Sequence, residues 1–318
     1  MNEVVILVPT YQCEATIAET LNSILKQGSA LDRVSEVIIA DDASKDRTRQ
    51  VARQVWKSST PLKVLEAAEN RGEYVNVNEA VAGFPPGLVW FLIMHGDNVA
   101  KEGWLETLLN RLAKASERVG AIGSSWDYWK LNGTTIPGED ALTRDVEEIP
   151  GTTEAVRGTL RKGCWWHISS CAIRVAAYKQ VGGLPNGLRL KGDWDFMLRL
   201  LGAGWSIEYI PRTLLLYREN PGGSSSLTFR LHKDIKETLQ VVRWHQQALS
   251  PSRAFSLHAF YVWMLARRCG GSLVRFDFRR LLAAFPAGLD VVASFLKCLF
   301  RISEPRPTST SMSIGASA

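Results

Sequence analysis

Short apolar runs alternate with segments of helical periodicity along the first hundred residues of the chain. Four runs have the length and composition of strands buried on both faces: residues 4–8, 37–40, 62–65 and 89–94. The segment between the first two runs carries the apolar face of a helix at Ile17, Leu21, Ile24 and Leu25. Helices are also predicted through residues 51–55 and 75–81. Strands that alternate with helices indicate parallel βαβ units, so the sequence predicts an α/β fold.

A less regular continuation of the same alternation reaches residue 216. We expect helices at residues 104–118, from Ala176 and from Asp193, and strands at residues 119–124 and 205–216. The intervening stretch 126–148 is polar and is predicted to be irregular, with Trp126, Tyr128 and Trp129 either stacking on a sugar or packing inside the protein. The loop 221–226 is predicted to be flexible from its glycines and serines.

Polar clusters follow three of the first four predicted strands, at residues 41–46, 69–72 and 95–98. Because crossovers between parallel strands are right-handed, these clusters should meet at one edge of the sheet, where α/β proteins bind ligands. There Asp97 can hold a divalent cation together with substrate phosphates, or it can cap the helix that begins near Glu102. Neither the GxGxxG nor the GxxxxGK[ST] phosphate-binding pattern occurs, which disfavours a Rossmann dehydrogenase and a P-loop ATPase.

The charge of the chain is concentrated in its C-terminal part. The net charge is +6 over 318 residues, yet residues 230–306 alone hold thirteen lysines and arginines against five acidic residues. Basic and apolar residues alternate there in helical patterns at residues 227–244, 255–266 and 281–300. We expect helices that lie on a membrane surface, or that pack on the rest of the protein, rather than a membrane-spanning helix. No nucleic-acid-binding motif accompanies the charge, so we expect no nucleic-acid partner.

The cysteines and the N-terminal residues indicate the cellular compartment in which the protein is expected. The five cysteines are scattered without a CxxC pair, which suits a reducing cytoplasm, and the first residues lack the pattern of a signal peptide. We therefore predict a cytoplasmic protein, peripheral on the inner face of the cytoplasmic membrane if the C-terminal helices bind it. Residues 303–318 are rich in Ser, Thr and Pro and are predicted to be disordered.

Six short motifs, in order, resemble those of family 2 glycosyltransferases with the type-A glycosyltransferase fold. The motifs are Val-Pro-Thr-Tyr-Gln at 8–12, Ser-Ile-Leu-Lys-Gln at 23–27, Asp-Asp-Ala-Ser-Lys-Asp-Arg-Thr at 41–48, Asn-Arg-Gly at 70–72, Gly-Asp at 192–193 with Arg199, and Tyr-Arg at 217–218. The resemblance covers residue 4 to about residue 226. It implies a mostly parallel Rossmann-like sheet flanked by helices, with a C-terminal helical appendage. We accordingly divide the chain into a catalytic domain (1–226), a helical basic region (227–302) and a tail (303–318).

The resemblance also implies an inverting transferase that moves a sugar from a nucleotide-sugar donor, by family habit a UDP-sugar, to a hydroxyl of a glycan or lipid-linked acceptor. Such a reaction belongs to polysaccharide, lipopolysaccharide or glycolipid assembly in the cell envelope. Carried over by position, the nucleotide-binding set is Pro9, Tyr11, Asp41, Asp42, Asn70 and Arg71. Asp97 would bind Mn²⁺ or Mg²⁺ at the diphosphate, Asp193 would be the general base, and Asp195 is the fallback base. Trp165, Trp166 and Arg218 are acceptor-side candidates.

Two departures from the family pattern leave alternatives open. The metal motif of the family offers two or three acids, whereas His95-Gly96-Asp97-Asn98 offers one, so His95 or Asn98 would have to assist or metal binding would be weaker. Gly192 stands where an acid is common. Asp195 is spaced to pair with Arg199 on a helix, and the two tryptophans can belong to the core. A catalytically silent nucleotide-sugar-binding or scaffold protein is therefore the alternative function.

Overall fold

The structure, a computed structural model, describes residues 4–138, 146–164, 166–220 and 232–302, together with Glu304 and Arg306. Its strands, in chain order, are β1 (Val4–Thr10), β2 (Glu36–Asp41), β3 (Leu62–Glu66), β4 (Trp90–Ile93), β5 (Val99–Ala100), β6 (Val119–Trp129), β7 (Thr135–Ile136), β8 (Glu147–Ile149), β9 (Ala172–Arg174) and β10 (Ser206–Arg218).

The helices are α1 (Ile17–Leu25), α2 (Thr48–Val55), α3 (Glu73–Ala82), α4 (Trp104–Leu112), α5 (Thr153–Lys162), α6 (Val175–Gln180), α7 (Gly192–Gly202), α8 (Lys233–Trp244), α9 (Pro251–Val274) and α10 (Phe278–Leu299). Two 3₁₀ helices, Gly28–Arg33 and Gln246–Ala248, follow α1 and α8.

One sheet carries the fold, in the order β3-β2-β1-β4-β9-β6-β10-β5, with β7 beside β6 and β8 beside β10. The first half is parallel: β1 pairs with β2 and β4, and β2 pairs with β3. The helix α1 connects β1 to β2 and α2 connects β2 to β3, so each connection returns the chain to the same end of the sheet. The predicted α/β architecture is confirmed, and the ends of β1, β2 and β4 lie together at one edge.

The alternation of side chains along β1 explains how the sheet is covered on both faces. Val5 and Leu7 pack into a core with the helices α3, α6 and α7, whereas Ile6 and Val8 pack into a second core with α1 and α4. All seven residues of β1 are buried, as expected of a central strand with helices on both sides.

Two details of the predicted elements were wrong. The stretch 126–148 is not irregular throughout, because β6 continues to Trp129 and pairs with β10 over its length, and β7 and β8 follow it. The helix expected to reach residue 118 ends at Leu112. The predicted flexible loop 221–226 lies outside the described residues.

The C-terminal helices continue the core of the sheet domain. Val241 and Val242 of α8, Ala254 of α9 and Cys298 of α10 belong to the same buried cluster as the helices α3, α6 and α7. Arg268 of α9 donates two hydrogen bonds, of 2.9 and 2.8 Å, to Asp234 of α8. In the predicted tail, Glu304 accepts hydrogen bonds from Arg243 (2.8 Å) and Lys297 (2.6 Å), and the residues beyond Arg306 lie outside the described part.

Candidate active site

The loop after β4 rests directly on the loop after β1. The Gly96 N–H donates to the Pro9 carbonyl (3.1 Å), and the Thr16 hydroxyl donates to the Gly96 carbonyl (2.9 Å). A Cβ at position 96 would lie 2.6 Å from Thr10 Cγ2, so only glycine allows this approach. Pro9, one of the predicted nucleotide-site residues, therefore sets the position of the loop that carries Asp97.

The two aspartates at the end of β2 organise the loops around them. Asp42 accepts hydrogen bonds from the backbone N–H groups of Arg71 (3.0 Å) and Gly72 (2.8 Å), which fixes the loop after β3. Asp41 is fully buried and accepts from Ser44 N–H (2.9 Å) and, at 3.3 Å, from the Thr10 hydroxyl. Both carboxylates thus hold the backbone of the predicted nucleotide site.

Three other members of the predicted nucleotide set present their side chains to solvent. Tyr11 is 44% exposed, and Asn70 and Arg71 are exposed on the neighbouring loop. Arg71 forms an ion pair with Glu79 of α3. An exposed aromatic ring beside a backbone loop held by Asp42 is a surface on which a nucleobase can stack.

An ion pair that the sequence analysis missed lies between the loops after β3 and β4. His95 Nε2 is 3.0 Å from a carboxylate oxygen of Glu73, the first residue of α3. Burial, the largest single influence, would lower the pKa of His95, but the charge and hydrogen bond of Glu73, with the charges of Asp97 and Asp193, together raise this pKa to about 9. Burial likewise opposes ionisation of Glu73, yet His95 holds the pKa of that carboxyl below its usual range. At neutral pH the pair is therefore an imidazolium and a carboxylate.

Asp97 and Asn98 differ in what they can offer a ligand. Burial raises the pKa of Asp97; the charge of His95 opposes this rise and that of Glu73 adds to it. Asn98 is fully buried, and its side-chain amide donates to Ser169 Oγ (3.1 Å) and accepts from the Arg218 N–H (3.1 Å). Asn98 is thus committed to linking β10 with the loop before β9, and Asp97 is the carboxylate left at this loop.

Arg218, an acceptor-side candidate, holds the same loop from the last strand. Its Nε donates to the Asp97 carbonyl (2.8 Å), its Nη2 binds Glu19 of α1, and its guanidinium lies 4.1 Å from the ring centroid of Trp129. These contacts occupy much of the side chain and assign it a positioning role.

Asp193 lies at the N-terminus of α7, as predicted, with its carboxylate at the start of the helix. Burial raises its pKa to about 6, although Lys191 and a 2.8 Å hydrogen bond from the Trp194 N–H favour its ionised form. Glu73 and His95 are among the charges that act on Asp193, so this carboxylate shares one electrostatic environment with the loops after β3 and β4. A carboxyl with a pKa near neutrality is suited to general base catalysis.

The glycine before Asp193 has a structural reason. A Cβ at Gly192 would lie 2.1–2.8 Å from three carbons of the Tyr74 ring, and the Gly192 N–H donates to the Tyr74 hydroxyl at 3.2 Å. The buried Tyr74 thus occupies the space that an acidic side chain at position 192 would need.

Asp195 does not face the loops that carry the other candidates. It is fully buried and binds Arg199 Nε (2.8 Å), His245 Nε2 (2.9 Å) and Arg306 Nη2 (2.9 Å). Burial opposes its ionisation, but the hydrogen bond from His245 and the charges of Arg199, His245 and Arg306 lower its pKa to about 2. A carboxylate so committed is a poor proton acceptor, so the fallback base of the sequence analysis does not suit that role.

The two predicted acceptor-side tryptophans give no accessible ring in the described structure. Trp166 is 2% exposed and packs in the core against Gly123, so it does not offer a stacking surface. Trp165 lies outside the described residues.

An aromatic cluster stands beside the His95 loop instead. His167 lies 5.6 Å from His95, 5.7 Å from Trp126 and 4.5 Å from Tyr217 between ring centroids, and Tyr128 follows at 5.9 Å from Tyr217. Burial lowers the pKa of His167 to about 3, so this ring is neutral and belongs to the apolar wall. Tyr128, at the end of this cluster, is 42% exposed. The pairing of β6 with β10 brings Trp126, Tyr128 and Tyr217 together, and His167 joins them from the loop before β9. The sequence alone did not show that pairing.

A divalent cation at this site would depend on few protein ligands. Within the described residues, no group of three or more His, Cys, Asp or Glu side chains has the arrangement of a metal cage. His95 Nε2 is paired with Glu73 and the Asn98 amide is already bonded, so Asp97 is the side chain on this loop that could bind the ion. One carboxylate fits a cation that is shared with substrate phosphates, which is a common way to bind Mg²⁺.

Comparisons with known proteins agree on one class of enzyme. A family model described as glycosyl transferase family 2 matches residues 5–176, slightly more than half of the chain. The glycosyltransferase AglE of Haloferax volcanii is 24% identical over 262 residues, 82% of this chain and 79% of that protein. An uncharacterized glycosyltransferase of Haemophilus influenzae is 25% identical over 261 residues, 81% of this chain and 82% of that protein.

Two solved structures share the fold. TarS 1-349 of S. aureus in complex with UDP-GlcNAc aligns with a TM-score of 0.65 at 18% identity, over 93% of this chain and 81% of that one. The mannosyltransferase PcManGT of Pyrobaculum calidifontis in complex with GDP-Man and Mn²⁺ aligns with a TM-score of 0.55 at 17% identity, over 95% of this chain and 88% of that one.

Proposed function

The chain belongs to glycosyl transferase family 2 and has the predicted type-A glycosyltransferase fold, and we propose that it is an inverting transferase that uses a nucleotide-sugar. The observation that carries this proposal is the placement of Asp193: the hydrogen bond between Gly192 and Tyr74 sets the start of α7 beside Glu73, the partner of His95. The pKa of Asp193, raised by burial to about 6, agrees with that placement. The donor would bind along the ends of β1, β2 and β4, and Asp193 would take the proton of the acceptor hydroxyl as it attacks the anomeric carbon.

The roles of the remaining residues follow from their contacts. Tyr11 would stack on the base, and Asp42 holds the loop that presents Asn70 and Arg71 to the nucleotide. Pro9 holds the loop that carries Asp97, and Asp41 holds the backbone of Ser44. UDP is the proposed nucleotide, and the UDP-GlcNAc bound to TarS supports a uridine donor.

We propose Mn²⁺ or Mg²⁺ as the cofactor, bound by Asp97 and the donor diphosphate; Mn²⁺ in the PcManGT complex supports this. When bound, the ion would neutralise charge on the leaving diphosphate. The imidazolium of His95 adds a fixed positive charge on the same loop, next to where that charge develops.

The proposed acceptor is a hydroxyl of a glycan or of a lipid-linked sugar in cell-envelope assembly. The half-exposed Tyr128 and the neighbouring wall of Trp126, His167 and Tyr217 support a sugar acceptor, because sugar rings pack on aromatic faces. A cytoplasmic location is part of the proposal. All five cysteines are free thiols in the described structure, which suits a reducing compartment.

The test is calorimetric titration with UDP, TDP and GDP, each with Mn²⁺, with Mg²⁺ and with a chelator, followed by an assay for nucleoside diphosphate release. We expect one nucleotide to bind with metal, and Asp97→Ala to weaken that binding at least tenfold. Asp32→Ala, which removes an exposed carboxylate from the 3₁₀ helix after α1, is the matched control and should bind as the wild type.

The outcomes separate the parts of the proposal. Binding that is insensitive to both metal and Asp97→Ala would refute the metal role but leave the transferase intact. Nucleotide binding with no turnover on any sugar donor would favour the silent binding protein, the alternative that the single acid of the metal motif suggests.

A further inference from the structure

One face of α10 is a continuous apolar stripe. Its large apolar residues that face solvent are Phe278, Leu282, Phe285, Leu289, Val292, Leu296 and Leu299, at alternating spacings of four and three residues. Phe285 is 74% exposed and Leu282 is 75% exposed. At 1.5 Å per residue, the stripe is about 30 Å long. Residues so large and so exposed are unusual on a soluble surface and mark an interaction site.

The opposite face of α10 packs on the protein. Ala284, Ala287 and Val291 form a cluster with α8 and α9, and Ser294 is 2.9 Å from His258 Nε2 of α9. By length and composition, Phe278–Leu299 is the single helix among the described residues that could cross a membrane. Because one side of it is fixed to α8 and α9, the exposed stripe is free to meet a surface while the helix stays on the protein.

The turn between α9 and α10 extends the stripe. Val274 is 81% exposed and Phe276 is 79% exposed. On α9, Phe260 and Trp263 are also more than half exposed, and the guanidinium of Arg267 is 5.6 Å from the Trp263 ring centroid. Aromatic rings next to arginines are typical of helices that lie at the boundary between lipid headgroups and acyl chains.

The exposed charged residues of this helical hairpin, residues 251–302, are all basic. Five arginines are exposed there: Arg253, Arg267, Arg275, Arg279 and Arg301. The acidic residues, Asp277 and Asp290, are half-buried, and Asp277 caps the first turn of α10 by accepting from the Arg280 N–H (3.1 Å). A partner surface that carries negative charge complements this hairpin.

A second copy of the chain is a poorer match to the stripe. The 4-3 spacing resembles a coiled-coil seam, but such seams are flanked by charged residues that pair between helices. Apart from Arg279, the residues beside this stripe are uncharged, among them Leu281, Pro286, Gly288 and Ala293, and the exposed arginines of two copies would repel each other.

We propose that the hairpin 251–302 binds the surface of a bilayer that contains anionic lipids, with the stripe and the turn inserted among the headgroups. The buried contacts of Ala254 and Cys298 with the main core then fix the catalytic domain to that surface. The inference stands apart from the proposed reaction, since it is measured without substrates.

The experiment is sedimentation of the full chain with vesicles of phosphatidylcholine and phosphatidylglycerol, and in parallel with phosphatidylcholine alone. We expect binding to the anionic vesicles, and a loss of about tenfold or more in partitioning for the double variant Phe285→Asp with Leu289→Asp. The double variant Arg275→Glu with Arg279→Glu should lose about tenfold or more on anionic vesicles.

The controls change the same residue types elsewhere. Leu131→Asp, in an exposed turn of the sheet domain, and Arg53→Glu, on α2, should bind vesicles as the wild type. If the double aspartate variant fails to fold, Phe276→Asp in the exposed turn replaces it, with the same expected loss. Equal binding by all variants, or no binding to either vesicle, overturns the proposal. So does a wild-type dimer in solution that the aspartate variants make monomeric, since the partner would then be a second copy.

Discussion

Asp193 and Asp195 are the same residue type, two positions apart on one helix, and the structure predicts opposite consequences of changing them to asparagine. Asp193→Asn should lose turnover and keep its stability, because the site loses its proton acceptor while α7 keeps its packing. Asp195→Asn should lose stability first, because its carboxylate binds Arg199, His245 and Arg306 in the interior.

The size of each effect follows from the environment of the carboxyl. Removing a general base costs about 10²–10⁴ in rate, so Asp193→Asn should lower kcat at least a hundredfold. With a pKa of about 6, wild-type kcat/KM should be flat above pH 7 and fall to about a tenth of its plateau at pH 5, as Asp193 becomes protonated.

For Asp195, the folded-state pKa of about 2 lies below the ordinary value of 3.8. A depressed acid pKa stabilises the fold above the unfolded value, near pH 4, and this contribution is lost as the pH falls through about 2. The shift corresponds to about 2 kcal/mol at neutral pH. Leaving Arg199 and Arg306 without their carboxylate adds to the loss, and about 3 kcal/mol is expected in total. At roughly 2–4 °C per kcal/mol, the melting temperature should fall by about 6–12 °C.

The assay is nucleoside diphosphate release across pH 5–8, with thermal unfolding followed by circular dichroism on the same preparations. A variant Asp193→Asn that turns over within tenfold of the wild type would refute the base assignment. An Asp195→Asn protein that melts with the wild type would show that the three contacts of Asp195 contribute little to the fold.

Two further changes test how the site is built. Gly192→Ala should destabilise the protein by about 1–3 kcal/mol in urea unfolding, because its Cβ meets the Tyr74 ring. Adding Tyr74→Ala in the same chain should cancel part of that loss, and strictly additive effects of the two changes would contradict the steric explanation. Asp42→Ala should weaken nucleotide binding about fivefold to a hundredfold and raise KM more than it lowers kcat, because it frees the N–H groups of Arg71 and Gly72. A loss in kcat alone would contradict this explanation, and Asp32→Ala is the control.

The parallel half of the sheet could be predicted because each of its strands is specified by its own short stretch of sequence. Buried strands such as Val4–Thr10 are short, continuous apolar runs rich in β-branched residues and bounded by turn formers, and the order of strands and helices leaves few topologies. The pairing in the second half could not be predicted, although strands were expected at 119–124 and 205–216, because β6 and β10 join residues at least 86 positions apart. Polar residues such as Ser125 and Asp127 also conceal the strand pattern of β6 beyond Ser124.

The same distinction between local and long-range causes applies to the candidate site. The loop aspartates were predictable since each directly follows a strand, and their joint location follows from the parallel order. The pair of Glu73 with His95 was not, because Glu73 opens a helix and looks like an ordinary residue of its first turn. For Trp166 the sequence left two alternatives open, an acceptor-side surface and the core, and only the packing against Gly123 shows that the residue belongs to the core.

The contact between Gly192 and Tyr74 couples two positions at which this site can change over generations. An acidic residue at position 192 forces the ring to shift, because its Cβ alone would lie 2.1–2.8 Å from three ring carbons. A smaller residue at position 74 removes this overlap but leaves a cavity in the core, which costs about 3–5 kcal/mol if the ring is removed entirely. The glycine in the motif is therefore retained by a tyrosine 118 positions earlier in the chain. Relatives that carry an acid at the equivalent of position 192 should have lost the ring.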